Sequence, residues 1–339
     1  MGNQNFEFSS PPSTSANNHS PGFKPAWWLS SRHLQTLWPT LVRRAPEPPG
    51  ASEWFQLPDG DRIKLRWSGG YGEPIVLFLH GLEGSANSNY LKGMVHAAAQ
   101  RNWRTVVMHF RGCAGVANTR DRGYHSGETT DLDAVVTALR QRAGSAPIFV
   151  VGFSLGGNVL LKWLGEQGER APINAACAIS VPFLLDRCAT KMDRGFSRVY
   201  QWWLIRSMRK NLMRKFDGRA CPVDYSQLTD SSSFWEFDDT VTAPLHGFEG
   251  VDDYYQRASS RQYLRNIARP TLVIHSRDDP FMTPDVIPQP HDLSAHVELE
   301  VSRSGGHVGF VSGAVPGRAR YWLEERIPSF LIQHLWAGM

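Results

Sequence analysis

The sequence of 339 residues lacks the features that mark several specialised classes of protein. It holds four cysteines and no Cys-x-x-Cys pair, so we expect reduced thiols and no structural zinc. The net charge of +4 is too small to predict nucleic-acid binding. No stretch approaches the roughly 18 apolar residues of a membrane-spanning helix, and residues 1–25 lack the apolar core of a secretory signal. No P-loop, EF-hand loop or Gly-x-Gly-x-x-Gly motif follows a predicted strand. We therefore expect a cytoplasmic protein without a metal or nucleotide cofactor.

Most of the chain alternates between strand-like and helix-like hydrophobic patterns. The predicted strands span residues 54–58, 63–67, 75–79, 105–110, 148–153, 175–181, 271–276 and 297–301. The predicted helices span residues 89–101, 131–142, 155–166 and 318–336. This alternation predicts an α/β fold with a mostly parallel sheet and helices on both faces.

One connection is far longer than an ordinary link between a strand and the next element. It spans 182–269, 88 residues between consecutive predicted strands. We therefore predict a core of 23–181 and 270–339 with an inserted helical cap, 182–269. The Ser/Asn/Pro-rich segment 1–22 is predicted to be a disordered tail.

The cap contains an amphipathic pattern. Apolar residues recur at every fourth position: Phe196, Tyr200, Leu204, Met208, Leu212 and Phe216. Basic residues flank them: Arg198, Arg206, Arg209, Lys210, Arg214 and Lys215. The apolar face is expected to pack on the core while the basic face stays in solvent. Contact with anionic lipid or an acidic substrate is the alternative.

A predicted strand ends in Gly152-Phe153-Ser154-Leu155-Gly156, directly before a predicted helix. This Gly-x-Ser-x-Gly pattern is typical of a sharp turn that presents a nucleophilic serine. The glycines fit where a side chain would collide as the chain reverses. Ser154 is therefore the candidate nucleophile.

An acid and a histidine follow the serine in the order that this arrangement requires. Asp278 and Asp279 follow the strand 271–276, and His307 lies in a Gly-Gly-His turn after the last predicted strand. His307 is the candidate base, because a serine hydroxyl is a poor nucleophile until a base takes its proton. A carboxylate fixes the imidazole tautomer, and we prefer Asp279 over Asp278 because it precedes Pro284 at the more usual spacing.

The oxyanion of a tetrahedral intermediate needs backbone N–H donors. Leu155 supplies one candidate, at the start of the helix after the serine. Leu82, in the loop His80-Gly81-Leu82-Glu83-Gly84, supplies the other. His80 is expected to brace this loop, and His109 to be a core histidine. A further pattern, His125 and Asp131 with five residues between them, is similar to the His-x4-Asp motif of acyltransferases, although it has one residue too many and a helix start fits it better.

Six stretches carry a resemblance to a known family. They are 23–39, 80–90, 110–133, 152–162, 278–281 and 305–307. Together they resemble the α/β hydrolases and, more narrowly, the YheT-type hydrolases, which include fungal medium-chain ethyl-ester synthases/esterases and animal abhydrolase-domain phospholipases. The resemblance implies a charge relay of Ser154, Asp279 and His307.

These patterns predict a serine carboxylesterase that cleaves short- to medium-chain acyl esters through an acyl-enzyme. An acyltransferase to an alcohol and a catalytically silent binding module are the alternatives. The expected partner is a small-molecule acyl ester; nucleic acid is not expected, nor is peripheral membrane contact through the basic cap. Four aromatic residues are candidates either for an acyl pocket or for core packing: Phe183, Trp202, Trp203 and Trp235.

Overall fold

The computed structural model describes residues 22–335, so residues 1–21 of the predicted tail lie outside it. Its centre is a sheet of eight strands in the spatial order β1-β2-β4-β3-β5-β6-β7-β8. These strands are β1 (Gly50–Gln56), β2 (Arg62–Gly69), β3 (Gly72–Leu79), β4 (Trp103–Met108), β5 (Ile148–Phe153), β6 (Ala175–Ile179), β7 (Thr271–Ser276) and β8 (Val297–Ser302). Only the β1–β2 and β2–β4 pairs are antiparallel, and the five remaining pairs are parallel. The predicted mostly parallel sheet is confirmed.

Helices cover both faces of this sheet: α3 (Thr130–Ala143) and α4 (Leu155–Gln167) pack on one face, and α2 (Asn89–Ala99) and α10 (Leu323–Ile332) on the other. The remaining helices are α1 (Arg32–Leu41), α5 (Leu185–Met192), α6 (Ser197–Lys215), α7 (Phe234–Phe237), α8 (Ala243–Leu245) and α9 (Val251–Ala258). Successive side chains of β3 point to opposite faces. Leu77 joins the cluster that contains Val159 of α4, whereas Phe78 joins the cluster that contains Leu91 of α2. The central strands are therefore buried on both sides, as their continuous apolar sequences predict.

The bounds of several predicted elements need correction: for example, the strand predicted at 54–58 is β1, and the strand predicted at 175–181 ends at Ile179. The strand predicted at 105–110 is β4, which begins and ends two residues earlier, so His109 follows the strand. The helix predicted at 318–336 begins only at Leu323, because Arg320–Tyr321 (β10) pairs with Val311–Ser312 (β9). Its predicted end, Trp336, lies outside the described residues.

The long connection between β6 and β7 is helical and contains α5 to α9. A π-helical turn joins α7 to α8. The predicted amphipathic helix is α6, in which Tyr200 and Leu212 are buried. None of the helices within 22–335 is long and apolar enough to cross a bilayer.

Candidate active site

Ser154 lies in the turn between β5 and α4. Its backbone has φ 52° and ψ −120°, a conformation that non-glycine residues rarely adopt. The turn depends on close backbone approaches: a Cβ on Gly152 would lie 2.4 Å from the Gly156 carbonyl oxygen, and one on Gly156 would lie 2.6 Å from that of His80. Glycine is therefore required at both positions, and the strained residue between them is the serine.

His307 and Asp279 extend from Ser154 as a chain of hydrogen bonds. Nε2 of His307 lies 2.9 Å from Oγ of Ser154, and Nδ1 lies 2.8 Å from Oδ2 of Asp279. Asp279 accepts from the Nδ1–H, so Nε2 is left to accept the serine proton. The Asp279 side chain is only 1% exposed, so water has little access to the contact between its carboxylate and the imidazole. The structure thus brings together the three residues that the sequence selected.

The two neighbouring carboxylates have separate positions. Asp279 contacts the imidazole and also accepts a hydrogen bond from the Phe281 N–H at 2.8 Å. Asp278 instead accepts from the Gly306 N–H at 3.0 Å, so it holds the turn that carries His307. Asp279, which the sequence favoured over Asp278, is therefore the carboxylate that contacts the imidazole.

Three further residues fix His307, and the sequence analysis did not select them. Thr36 of α1 accepts a hydrogen bond from the His307 N–H at 2.9 Å, and Ser180 accepts one from the Val308 N–H at 3.0 Å. The Phe281 ring stacks on the imidazole with 4.1 Å between centroids and 11° between planes. Thr36 lies in the stretch 23–39, and the resemblance of this stretch to the family was the one sequence feature that could have indicated its importance.

The loop after β3 lies beside the serine and contains one N–H without a partner in the described structure. The Gly81 N–H donates to the Tyr90 hydroxyl at 2.9 Å, and the Glu83 N–H donates to the Tyr124 hydroxyl at 2.9 Å. Between them, the Leu82 N–H has no protein acceptor among the described residues. The loop packs closely on the turn, since a Cβ on Gly81 would lie 3.3 Å from Cβ of Ser154.

Leu155 supplies the other predicted donor. It is the first residue of α4, where N–H groups lack partners within the helix. Within 22–335 its N–H also has no acceptor. Leu82, Ser154 and Leu155 line the same cavity, so both free N–H groups belong to residues that border the serine.

His80 braces the loop, as predicted. Its Nδ1–H donates to the Gly81 carbonyl at 2.7 Å, and its Nε2 accepts from the Phe110 N–H at 3.1 Å. Burial lowers the pKa of His80 to about 3, so the ring is neutral at physiological pH. His109 is likewise buried, with Nδ1 3.0 Å from the Lys64 carbonyl oxygen, so its prediction as a core histidine is confirmed.

Glu83 connects the same loop to α6. Its carboxylate accepts hydrogen bonds from the Tyr124 hydroxyl at 2.9 Å and the Ser207 hydroxyl at 2.6 Å, and a third from the Asn211 amide. The backbone of Glu83 has a φ of 56°, a value that favours glycine. These side-chain contacts stabilise that conformation and tie the loop to the segment between β6 and β7.

A cavity of about 210 Å³ opens beside Ser154 and is lined by Leu204, Met208 and Leu212 of α6. Phe183, Trp202, Trp203 and Trp235 do not line this cavity, so the acyl-pocket interpretation of these four residues is wrong. Phe183 is fully buried in the core, and Trp203 is exposed on the far side of α6. Trp235 packs edge-on against Tyr255 at 4.8 Å.

The His125–Asp131 pattern is structural. Asp131 is buried and forms a bidentate ion pair with Arg111, at 2.6 and 2.7 Å. His125 accepts a hydrogen bond from the Gly127 N–H at 3.1 Å. The resemblance to an acyltransferase motif is therefore coincidental. Within the described chain, no three His, Cys, Asp or Glu side chains are grouped so that they would hold a metal ion.

Known proteins share this sequence and architecture. A family model for the alpha/beta hydrolase fold matches residues 74–314. The Escherichia coli K12 protein named "Putative esterase YheT" is 43% identical over 92% of this chain and 94% of its own length. Mouse "Phospholipase ABHD3" is 29% identical over 88% of this chain and 75% of its own length.

Solved structures agree at the level of the fold. The esterase Pf2001 of Pyrococcus furiosus superposes with a TM-score of 0.55 at 17% identity, covering 85% of this chain and 92% of that protein. The α/β hydrolase GrgF of a Penicillium species gives 0.56 at 15% identity, covering 85% and 99%. The chain therefore belongs to the α/β hydrolase family and, within it, to the YheT-type hydrolases.

Proposed function

We propose that this protein is a serine carboxylesterase that cleaves short- to medium-chain acyl esters through an acyl-enzyme. The observation that carries the proposal is the hydrogen-bond chain from Ser154 through His307 to Asp279. The similarity to "Putative esterase YheT" and "Phospholipase ABHD3", both named for ester hydrolysis, supports the same reaction class.

In the acylation step, Oγ of Ser154 attacks the ester carbonyl carbon while Nε2 of His307 takes the hydroxyl proton. The imidazolium then returns this proton to the departing alkoxide, which leaves as the alcohol. Asp279 holds the ring in the correct tautomer and stabilises the imidazolium through Nδ1–H. In the second step water attacks the acyl-enzyme by the same route and releases the acid.

The Leu82 and Leu155 N–H groups would bind the oxyanion of each tetrahedral intermediate. Two features support this role. Both N–H groups are free in the described chain, and the neighbouring Gly81 and Glu83 N–H groups are held by tyrosine hydroxyls. Donors that are already oriented need no rearrangement as negative charge develops, which is why such sites accelerate acyl transfer.

The segment 182–269 is proposed to act as a cap over the core 23–181 and 270–339. The apolar side chains of α6 that line the cavity support this role, because they would contact the acyl chain and exclude water from it. The cavity of about 210 Å³ is smaller than the roughly 300–1,000 Å³ of sites for drug-sized ligands. This size favours short and medium acyl chains.

The proposal is tested with a series of p-nitrophenyl esters of increasing acyl length, assayed with and without an added alcohol. We expect release of free acid, with turnover highest for short and medium chains and abolished by Ser154→Ala. New ester formed well in excess of free acid would instead establish an acyltransferase. No turnover of any ester by the wild-type protein would favour the silent binding module.

A further inference from the structure

The outward face of α6 carries a regular row of exposed side chains. Four are large and apolar: Phe196, directly before the helix, and Val199 are each 51% exposed, Trp203 69% and Met213 54%. With Arg206 and Lys210 they recur at intervals of three and four residues, and such intervals place side chains on one face of a helix. We call these residues the outer row: Phe196, Val199, Trp203, Arg206, Lys210 and Met213.

The charge of α6 has a single sign. The helix contains six basic residues and no acidic residue, in a chain whose net charge is only +4. Arg198 and Lys210 are exposed and have no carboxylate within 4.0 Å in the described structure. Arg206, 61% exposed, lies 3.5 Å from Asp230 and stacks over the Trp202 ring. The helix therefore presents uncompensated positive charge beside exposed aromatic rings.

The apolar part of this surface continues onto α1. The ring of His33 lies 4.5 Å from that of Phe196, and the neighbouring Leu34 is 48% exposed. Single exposed apolar residues are ordinary on soluble proteins. A contiguous set of them beside cations is typical of helices that lie in the interface of a membrane.

We propose that the outer row of α6, together with Leu34, docks on a bilayer that contains anionic lipid. Trp203, Phe196 and Met213 would enter the boundary between headgroups and acyl chains, while Arg198 and Lys210 contact lipid phosphates. A solvated basic face, which the sequence predicted, would explain the cations but not the exposed tryptophan among them. The opposite face of α6 lines the cavity, so docking places that cavity about one helix diameter, roughly 10 Å, from the lipid.

The test is co-sedimentation of the full-length protein with vesicles of phosphatidylcholine, with or without an equal part of phosphatidylglycerol. We expect at least about tenfold tighter binding to the anionic vesicles, weakened by added salt. Arg198→Glu with Lys210→Glu should weaken it by at least about thirtyfold, from the loss of two surface cations. Trp202→Ser with Trp203→Ser should weaken binding to a similar degree.

Matched controls separate this surface from general effects of charge and hydrophobicity. Trp27 is as exposed as Trp203, at 69%, but its indole N–H donates to the Ala314 carbonyl and it belongs to neither α6 nor α1, so Trp27→Ser should leave binding unchanged. Arg303→Glu with Arg318→Glu makes the same charge change at exposed positions outside the cap, so it should weaken binding to anionic vesicles far less. Unchanged thermal unfolding and unchanged hydrolysis of a soluble ester would verify that each variant is folded.

Three results would overturn the proposal. The first is equal binding to neutral and anionic vesicles. The second is equal weakening by the controls and by the α6 variants, which change Lys210 and Trp203 of the outer row together with Arg198 and Trp202 beside it. The third is a concentration-dependent dimer that Trp203→Ser dissociates, without vesicle binding by the wild-type protein, because the row would then be covered by a second copy of the chain.

Discussion

Oδ2 of Asp279 lies 2.8 Å from Nδ1 of His307, and the carboxylate is almost completely shielded from solvent. The neighbouring Asp278 contacts the Gly306 N–H instead. Two adjacent acidic residues therefore have different tasks, one on the imidazole and one on the backbone that carries it.

Asp279→Asn should lower turnover by about 10³–10⁴-fold, because an amide that donates to Nδ1 leaves the wrong imidazole tautomer. Asp278→Asn keeps an oxygen that accepts from the Gly306 N–H, so we expect a loss of less than about tenfold. Steady-state kinetics on one soluble ester compares the two variants. A larger loss in Asp278→Asn would reverse the assignment.

Tyr124→Phe should lower kcat by about ten- to a hundredfold with little change in KM. The substitution removes the acceptor for the Glu83 N–H and one donor to the Glu83 carboxylate, so the Leu82 N–H loses its fixed direction. Tyr263→Phe is the matched control, because within the described residues its hydroxyl hydrogen-bonds only to the Arg257 carbonyl, away from the Glu83 loop. If the substitution changes only KM, or if Tyr263→Phe lowers kcat equally, then the Tyr124 hydroxyl does not orient the Leu82 N–H.

Arg111→Met should lower the free energy of unfolding by about 3–5 kcal/mol, since it removes the buried cation that lies between two buried carboxylates. The Arg111 side chain is fully buried between Asp61, at 2.9 Å, and Asp131, at 2.6 Å. Arg142→Met breaks a partly exposed ion pair with Glu53 at the surface, so it should cost less than about 1 kcal/mol. Urea unfolding of both variants measures the difference, and equal losses would contradict the account.

His275→Phe should reduce the loss of stability in acid. Burial lowers the pKa of His275 to about 4, and its Nδ1 has no partner in the described structure. The unfolded chain takes up this proton below pH ~6.5 and the folded chain does not. The histidine therefore costs stability progressively as the pH falls from 6.5 to about 4, by about 3 kcal/mol in total. Urea unfolding at several pH values should show a shallower slope in His275→Phe but not in His296→Phe, which alters an exposed histidine.

The order and spacing of polar residues after predicted strands were sufficient to select Ser154, Asp279 and His307. Each lies in a loop that follows its strand, and parallel strands bring such loops to one edge of the sheet. The supporting residues were not predictable in this way. Thr36 contacts a residue 271 positions later in the chain, and no local pattern encodes such a pairing.

The every-fourth-residue spacing of apolar residues did not correctly predict which side chains of α6 are buried. Each step of four residues turns a helix about 40° beyond a full turn, so six residues at that spacing drift through about 200°. Phe196 is accordingly 51% exposed, whereas Phe216, at the other end of the series, is buried. Trp202 and Trp203 lie outside this series; they are 40% and 69% exposed and do not line the cavity.

The central claim is that Ser154 is the nucleophile, and covalent labelling tests it most directly. The wild-type protein, treated with a fluorophosphonate and digested, should yield a single adduct that peptide mass spectrometry assigns to Ser154. Ser154→Ala should remove this adduct, whereas Ser126→Ala, which alters another serine that lines the same cavity, should still be labelled at Ser154. An adduct on another residue, or labelling that persists in Ser154→Ala, would contradict the account.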